Sequence, residues 1–178
     1  MRNCIVLIGL PGCGKSTVGR QLAKRLNAAF QDTDAVITDR IGMPIRSFFE
    51  QEGEERFREI EHRVLAEFLD GGYQGVLATG GGIVLRDDNR ECLRQARSVV
   101  YLRASPDDLV RRLRHDRQRP LLQVSDPLKR LRELYAVRDP LYRDVATFVI
   151  DTGRPSVSML ANLIATQLEL DAANGRAC

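Results

Sequence analysis

Residues 5 to 18, "IVLIGLPGCGKSTV", break from an apolar run into a glycine-rich turn that ends in Lys-Ser-Thr. Gly9, Gly14, Lys15 and Ser16 satisfy the pattern G-x-x-x-x-G-K-[ST]. Such a loop turns successive backbone N–H groups inward on a β-phosphate, and the helix that follows adds its positive dipole end. Gly12, Cys13, Gly14 and Thr17 belong to that cradle. Lys15 is placed to reach the β- and γ-phosphates, and the Ser16 hydroxyl to ligate Mg²⁺. A glycine-rich turn that fits a short pattern by chance is the plain alternative, and the position between a strand and a helix argues against it. Cys13 reads either as a small side chain filling a tight loop or as a thiol made reactive by the helix N-terminus.

A phosphoryl acceptor needs residues of its own, because transfer is mostly positioning and charge neutralisation. "DTD" offers Asp32 and Asp34, which fall on one side if the strand continues through them. One carboxylate can hold a metal through water and the other can take a hydroxyl proton; an Asx-type cap on a following helix is the alternative. In "FFEQEGEERFREIE", Arg58 has Glu54 four residues before it and Glu61 three after. That spacing by itself favours a solvated ion-pair ladder, with a guanidinium held in a fixed fork for a carboxylate as the alternative. Gly80-Gly81-Gly82 follows an apolar strand, where three glycines are tolerable if something must approach the backbone closely. "RHDRQRPLL" carries Arg114, Arg117 and Arg119 with no periodic face. It is either a charged solvated loop or a lid that brings an arginine onto the γ-phosphate and excludes water.

The elements that must position these groups alternate. Apolar runs at 4–8, 29–31, 75–79, 99–102 and 147–152 read as five strands. Helical stripes run from Lys15 to Leu26, and from Gly53 through Phe57, Ile60, Val64, Leu65, Phe68 and Leu69 to a stop at Gly71-Gly72. Pro44 can open a helix. Ser105 caps a helix through Leu113, Asp126-Pro127 restarts one toward Arg138, and a closing helix spans Ser156 to Leu170. Residues 171–178 are expected to fray. This order predicts an α/β fold, an open parallel sheet covered on both faces. Ligands in such sheets sit beyond the carboxyl ends of the strands. The phosphate loop, "DTD" and "TGGG" all fall at strand ends, which implies one shared cleft.

The bulk properties are permissive. With 178 residues the chain makes one domain, and 43% hydrophobic and 29% charged residues describe an ordinary globular protein. No apolar run approaches the ~20 residues of a membrane span, and Met1-Arg2-Asn3 leads straight into strand, so neither membrane partner nor signal peptide is expected. A net charge of +3 gives no reason to expect nucleic acid. Cys4, Cys13, Cys92 and Cys178 have no metal or disulfide spacing, so a reduced, cytoplasmic setting is expected. Without an obvious exposed apolar stripe, a monomer is expected. Lys15, Lys24 and Lys129 are the only lysines among 27 basic residues, so no arginine is special by composition.

Taken in order, "GLPGCGKST", "DTD", "FFEQEGEERFREIE", "LATGGG", "RPLL" and "RDPLY" resemble shikimate kinase over roughly residues 3 to 168. The resemblance implies a single P-loop kinase domain over 1–178 of the nucleoside monophosphate kinase-like, three-layer α/β/α type. Its lid would lie near 114–125 and its substrate-binding region near 33–61. It implies Mg²⁺-dependent transfer from ATP to the 3-hydroxyl of shikimate, on the route to chorismate and aromatic amino acids, with one ion per subunit. By motif, Asp34 would contact the acceptor hydroxyls and act as base, while Arg58 and Arg138 clamp the carboxylate beside Gly80, Gly81 and Gly82. Lys15, Ser16 and Asp32 would serve phosphates and metal. Arg119, directly before "PLL", would be the lid arginine, and Arg112, Arg154 and Pro155 would pack against adenine. A kinase for another small acceptor, such as gluconate or a nucleoside monophosphate, is the nearest rival, though a nucleotide acceptor would not by itself require paired arginines around a short acidic pocket. A GTP-binding switch wants N-K-x-D, which is absent. A non-catalytic ATP-binding protein leaves Asp34, Arg119 and Arg138 together without a reason.

Overall fold

The computed structural model describes residues 4–113 and 125–173. Five strands, β1 (Cys4–Ile8), β2 (Ala29–Asp32), β3 (Gly75–Ala78), β4 (Ser98–Arg103) and β5 (Phe148–Asp151), form one sheet in the order β2-β3-β1-β4-β5. Every pairing is parallel. β1, β3 and most of β4 are buried along their length, which is why they read as unbroken apolar runs rather than alternating ones. The edge strands β2 and β5 alternate between half-buried and exposed.

The helices are α1 (Lys15–Arg25), α2 (Thr33–Ile41), α3 (Ile45–Asp70), α4 (Asp87–Arg94), α5 (Pro106–Leu113), α6 (Pro127–Val145) and α7 (Val157–Ala173), with a 3₁₀ turn at Ile83–Leu85. Local chemistry starts several of them as the sequence suggests. Ser105 Oγ accepts from the Asp108 N–H at 3.1 Å, Asp126 Oδ1 from Lys129 at 2.9 Å, and Ser156 Oγ from Met159 at 3.2 Å. Pro44 stands one residue before α3.

Three expectations need correction. Asp34 is not on a continuing strand: β2 stops at Asp32 and the chain turns at once into α2, whose β-branched Val36-Ile37-Thr38 give little helical signal. The helix from Gly53 is the second half of α3. Gly53 (φ 83°, ψ 168°) is non-helical and kinks α3, and Ile45 to Glu52 form a first segment before it. Residues 171–173 do not fray but finish α7; residues 174–178 lie outside the described residues. α4 also escapes the periodicity, since only Asn89 and Leu93 are buried on it.

The main core joins both faces of the sheet, with Leu7, Ile8, Leu22, Leu65, Leu77, Val100, Leu102 and Ile164 fully buried. Each such side chain contributes about 1.5–3 kcal/mol by leaving water. A second core of Ile37, Phe48, Phe57 and Val64 ties α2 to α3. α7 leaves Met159, Leu163 and Leu170 exposed, a row of apolar side chains that the expectation of no exposed apolar stripe did not foresee.

Candidate active site

The phosphate loop runs from the end of β1 into α1. Gly14 is left-handed (φ 97°) at the α1 N-cap, with no side-chain cap and no acidic residue in the first turn. The positive end of α1 therefore carries no side-chain cap and no first-turn carboxylate, which suits an anion. Ser16 and Thr17 stand in that first turn. Lys15 is 8% exposed, and its Nζ donates to the carbonyls of Gly9 (2.8 Å) and Leu10 (3.0 Å), so the ammonium bridges the loop. Cys13 is 1% exposed, and a Cβ on Gly9 would sit 2.8 Å from its sulfur. That close fit supports the space-filling reading of the thiol.

Asp32 has two partners. Its Oδ2 accepts from Ser16 Oγ at 2.5 Å and its Oδ1 caps α2 through the Asp34 N–H at 3.0 Å. The capping reading of "DTD" is thus what Asp32 shows, and the cap leaves its second oxygen on the Ser16 hydroxyl. The pair supplies two hard oxygen donors beside the phosphate cradle, a set that fits Mg²⁺, which binds through one or two protein oxygens plus phosphates and water. Among the described residues no group of three or more His, Cys, Asp or Glu could hold a metal by itself.

The residues expected on the acceptor side gather on the triple glycine after β3. The Gly80 N–H donates to Thr33 Oγ1 at 3.2 Å, and Thr79 is tied to the Leu7 carbonyl at 3.1 Å. A Cβ on Gly80 would lie 2.7 Å from Asp34 Oδ1 and 2.9 Å from Glu61 Oε1. On Gly81 it would lie 2.6 Å from Pro11 Cδ, and on Gly82 2.5 Å from Arg58 Cζ. Each glycine therefore lets a different part of the cleft approach: carboxylates, phosphate loop and guanidinium. Close approach is the physical reason for all three.

Arg58 is 13% and Glu61 1% exposed, and Nη1 donates to Glu61 Oε2 at 2.7 Å. Glu54 accepts from Nε and Nη2 at 3.2 and 3.0 Å but is itself open to solvent. Phe49 and Phe57 rings flank the guanidinium at 5.8 and 5.4 Å. Burial pushes the Glu61 carboxyl up, and Arg58 opposes this without cancelling it. Burial alone lowers the Arg58 pKa; Glu61 and Glu54 outweigh it and leave it raised. A solvated ladder does not look like this. Arg138, on α6, donates to the Gly81 carbonyl at 3.1 Å. Two guanidiniums thus meet consecutive glycines, with Asp34 at the third.

On the far side, Arg112 Nη1 donates to Thr152 Oγ1 at 3.2 Å and its Nη2 to the Thr152 carbonyl, which holds the end of β5 near the phosphate loop. Arg154 is exposed and Pro155 half-buried in the turn that follows. Arg114, Arg117 and Arg119 lie outside the described residues, and with them nearly all of the expected lid. Sequence reasoning missed Thr33, Pro11 and Tyr142, each of which touches the triple-glycine turn. Tyr142 alone had a usable signal, its four-residue spacing from Arg138.

The chain matches the family model for shikimate kinase over residues 11–169. A shikimate kinase of Paracidovorax citrulli is 56% identical over 93% of this chain and 92% of its own length. One from Cupriavidus pinatubonensis is 54% identical over 95% and 88%. Among solved structures, a shikimate kinase from Acinetobacter baumannii in complex with shikimate superposes with a TM-score of 0.88 at 42% identity, covering 94% of this chain and 93% of that one. A gluconokinase from Sinorhizobium meliloti, at TM-score 0.63 and 20% identity over 97% and 95%, shares the fold.

Proposed function

The chain belongs to the shikimate kinase family, and from that premise we propose how its cleft divides the work of moving a phosphoryl group from ATP to shikimate. The enzyme phosphorylates shikimate in aromatic biosynthesis. The acceptor oxygen is the 3-hydroxyl. Gly12, Cys13, Gly14 and Thr17 offer backbone N–H groups to the β-phosphate, and Lys15 leaves its carbonyl partners for the β- and γ-oxygens. Ser16 and Asp32 would hold Mg²⁺, and the ion would supply positive charge that neutralises the phosphates.

Arg58 and Arg138 take the shikimate carboxylate, Arg58 in the orientation set by Glu61. A guanidinium with its fork pre-set loses little freedom when it binds a planar carboxylate. Asp34 at Gly80 then receives the acceptor hydroxyl, orients it in line and accepts its proton as the new P–O bond forms. Gly80, Gly81 and Gly82 line the acceptor pocket. Arg112, Arg154 and Pro155 form the adenine side, and Arg119 supplies lid charge to the transferring group. The domain divides accordingly into a core, a substrate-binding region at 33–61 and a lid at 114–125. Cys4, Cys13 and Cys92 form no disulfide among the described residues, which supports a reducing, cytoplasmic setting, and no described helix is long and apolar enough to cross a membrane.

The observation that carries this reading is the meeting of Asp34, Arg58 and Pro11 on three consecutive glycines. Shikimate methyl ester tests it, because the ester keeps every hydroxyl and loses the charge. Its KM rises about 100-fold over shikimate in the wild type, as a charged partner left unpaired costs a few kcal/mol. The discrimination collapses in Arg58→Ala. Equal KM values for acid and ester in the wild type contradict the clamp.

A further inference from the structure

The Gly81 carbonyl accepts two hydrogen bonds from α6. Arg138 Nη1 donates at 3.1 Å and the Tyr142 hydroxyl at 2.5 Å. The two residues are four apart, so they lie on one face of the helix. Tyr142 is fully buried, and its ring packs on Tyr101 with centroids 4.8 Å apart. The phenol hydroxyl and the Arg138 guanidinium thus converge on one carbonyl oxygen, which places the two donors side by side. Burial pushes the phenol pKa up, and the hydroxyl remains a donor across the working pH range. On its other side, the Gly81 Cα faces Pro11 closely enough that a Cβ would lie 2.6 Å from Pro11 Cδ. The turn is thus held from the phosphate loop on one side and by two donors on the other.

We propose that Tyr142 is a positioning residue: it holds the Gly81 carbonyl and the Arg138 guanidinium in one array and so pre-sets the arginine for the acceptor's carboxylate. This rests on the reading of Arg138 given above. A free arginine side chain loses about 2 kcal/mol of rotamer entropy on being fixed, and an arginine already pinned loses less at the moment of binding. Tyr142 also joins the acceptor pocket to the phosphate loop through a single backbone group.

Tyr142→Phe keeps the ring and its packing and removes only the hydroxyl. Shikimate KM is expected to rise about 5- to 10-fold, the worth of one buried hydrogen bond, with kcat and ATP KM little changed. In a cycle with Arg138→Ala, the double variant should be scarcely worse than Arg138→Ala alone, since no guanidinium is left to position. Tyr101→Phe is the control. It removes a buried hydroxyl bond to Asp139 on the same helix (2.8 Å) without touching Gly81, and should leave shikimate KM unchanged. An unchanged shikimate KM in Tyr142→Phe, a rise matched by Tyr101→Phe, or full additivity with Arg138→Ala overturns the inference. A wild-type shikimate KM in Arg138→Ala overturns the assignment of Arg138 instead, so the two failures are distinguishable.

Discussion

The two halves of the cleft are built from different materials. The phosphate half is one contiguous stretch, Gly9 to Thr17, made largely of backbone N–H groups and a helix end. The proposed acceptor half is made of side chains: α2 and α6 reach the triple glycine in hydrogen bonds across 47, 57 and 61 residues, and α3 sets Arg58 and Glu61 close against it. Backbone sites tolerate side-chain change as long as the turn survives. Side-chain sites fail one contact at a time. The same difference separates general nucleotide binding from choice of acceptor, and substitutions should respect it.

The largest effect should come from Asp34→Asn, which keeps shape and removes the proton acceptor. Turnover is expected to fall about 10³-fold or more, with ATP affinity by titration close to wild type. A matching loss of ATP binding would erase the division between the halves. Arg58→Ala comes next. Shikimate KM should rise about 10- to 100-fold while ATP affinity holds; an effect confined to ATP would move Arg58 to the other half.

Arg58→Ala also carries a pH signature. The Glu61 pKa is already raised in the folded protein by burial, so its ionised form costs stability, and that cost appears as pH rises through the folded pKa. Removing Arg58 leaves the charge unpaired and raises the pKa further. The variant's stability deficit against wild type should therefore shrink as pH falls from 7 toward the carboxylate range, as denaturant melts at several pH values would show. A deficit that grows in acid would reverse the sign.

Gly82→Ala sets a Cβ against the Arg58 guanidinium. A loss of about 1–3 kcal/mol of stability is expected, with a raised shikimate KM and unchanged ATP affinity. The smallest effect marks the baseline. Arg40 and Glu67 pair at 2.6 Å on the surface, 45% and 56% exposed, and Arg40→Ala should cost less than about 1 kcal/mol and leave kinetics alone.

The phosphate half was legible because its information is local: glycines, a lysine and a hydroxyl in fixed order between an apolar strand and an amphipathic helix. The five strands were legible for the same reason, as buried parallel strands are written in unbroken apolar runs. Arg58 was ambiguous, since i−4 and i+3 acids describe a surface ladder at least as well as a buried clamp. Only the burial of Glu61, close against Gly80 in the turn after β3, separates them. Asp32 shows the opposite case, where the plainer reading is the one observed: one oxygen caps α2, and the other accepts from Ser16, which leaves the metal role a proposal. Tyr142 stayed hidden because its partner is a carbonyl, and sequence does not say where a carbonyl points. α2 and α4 escaped because a β-branched core and a thin apolar face mute the helical period.

The central claim is that the side-chain half selects shikimate. It is tested most directly by ADP release in a coupled assay with ATP and shikimate, gluconate or AMP offered separately. Turnover should depend on shikimate and be at background with the other two. No shikimate-dependent release, or comparable release with gluconate, would contradict the account.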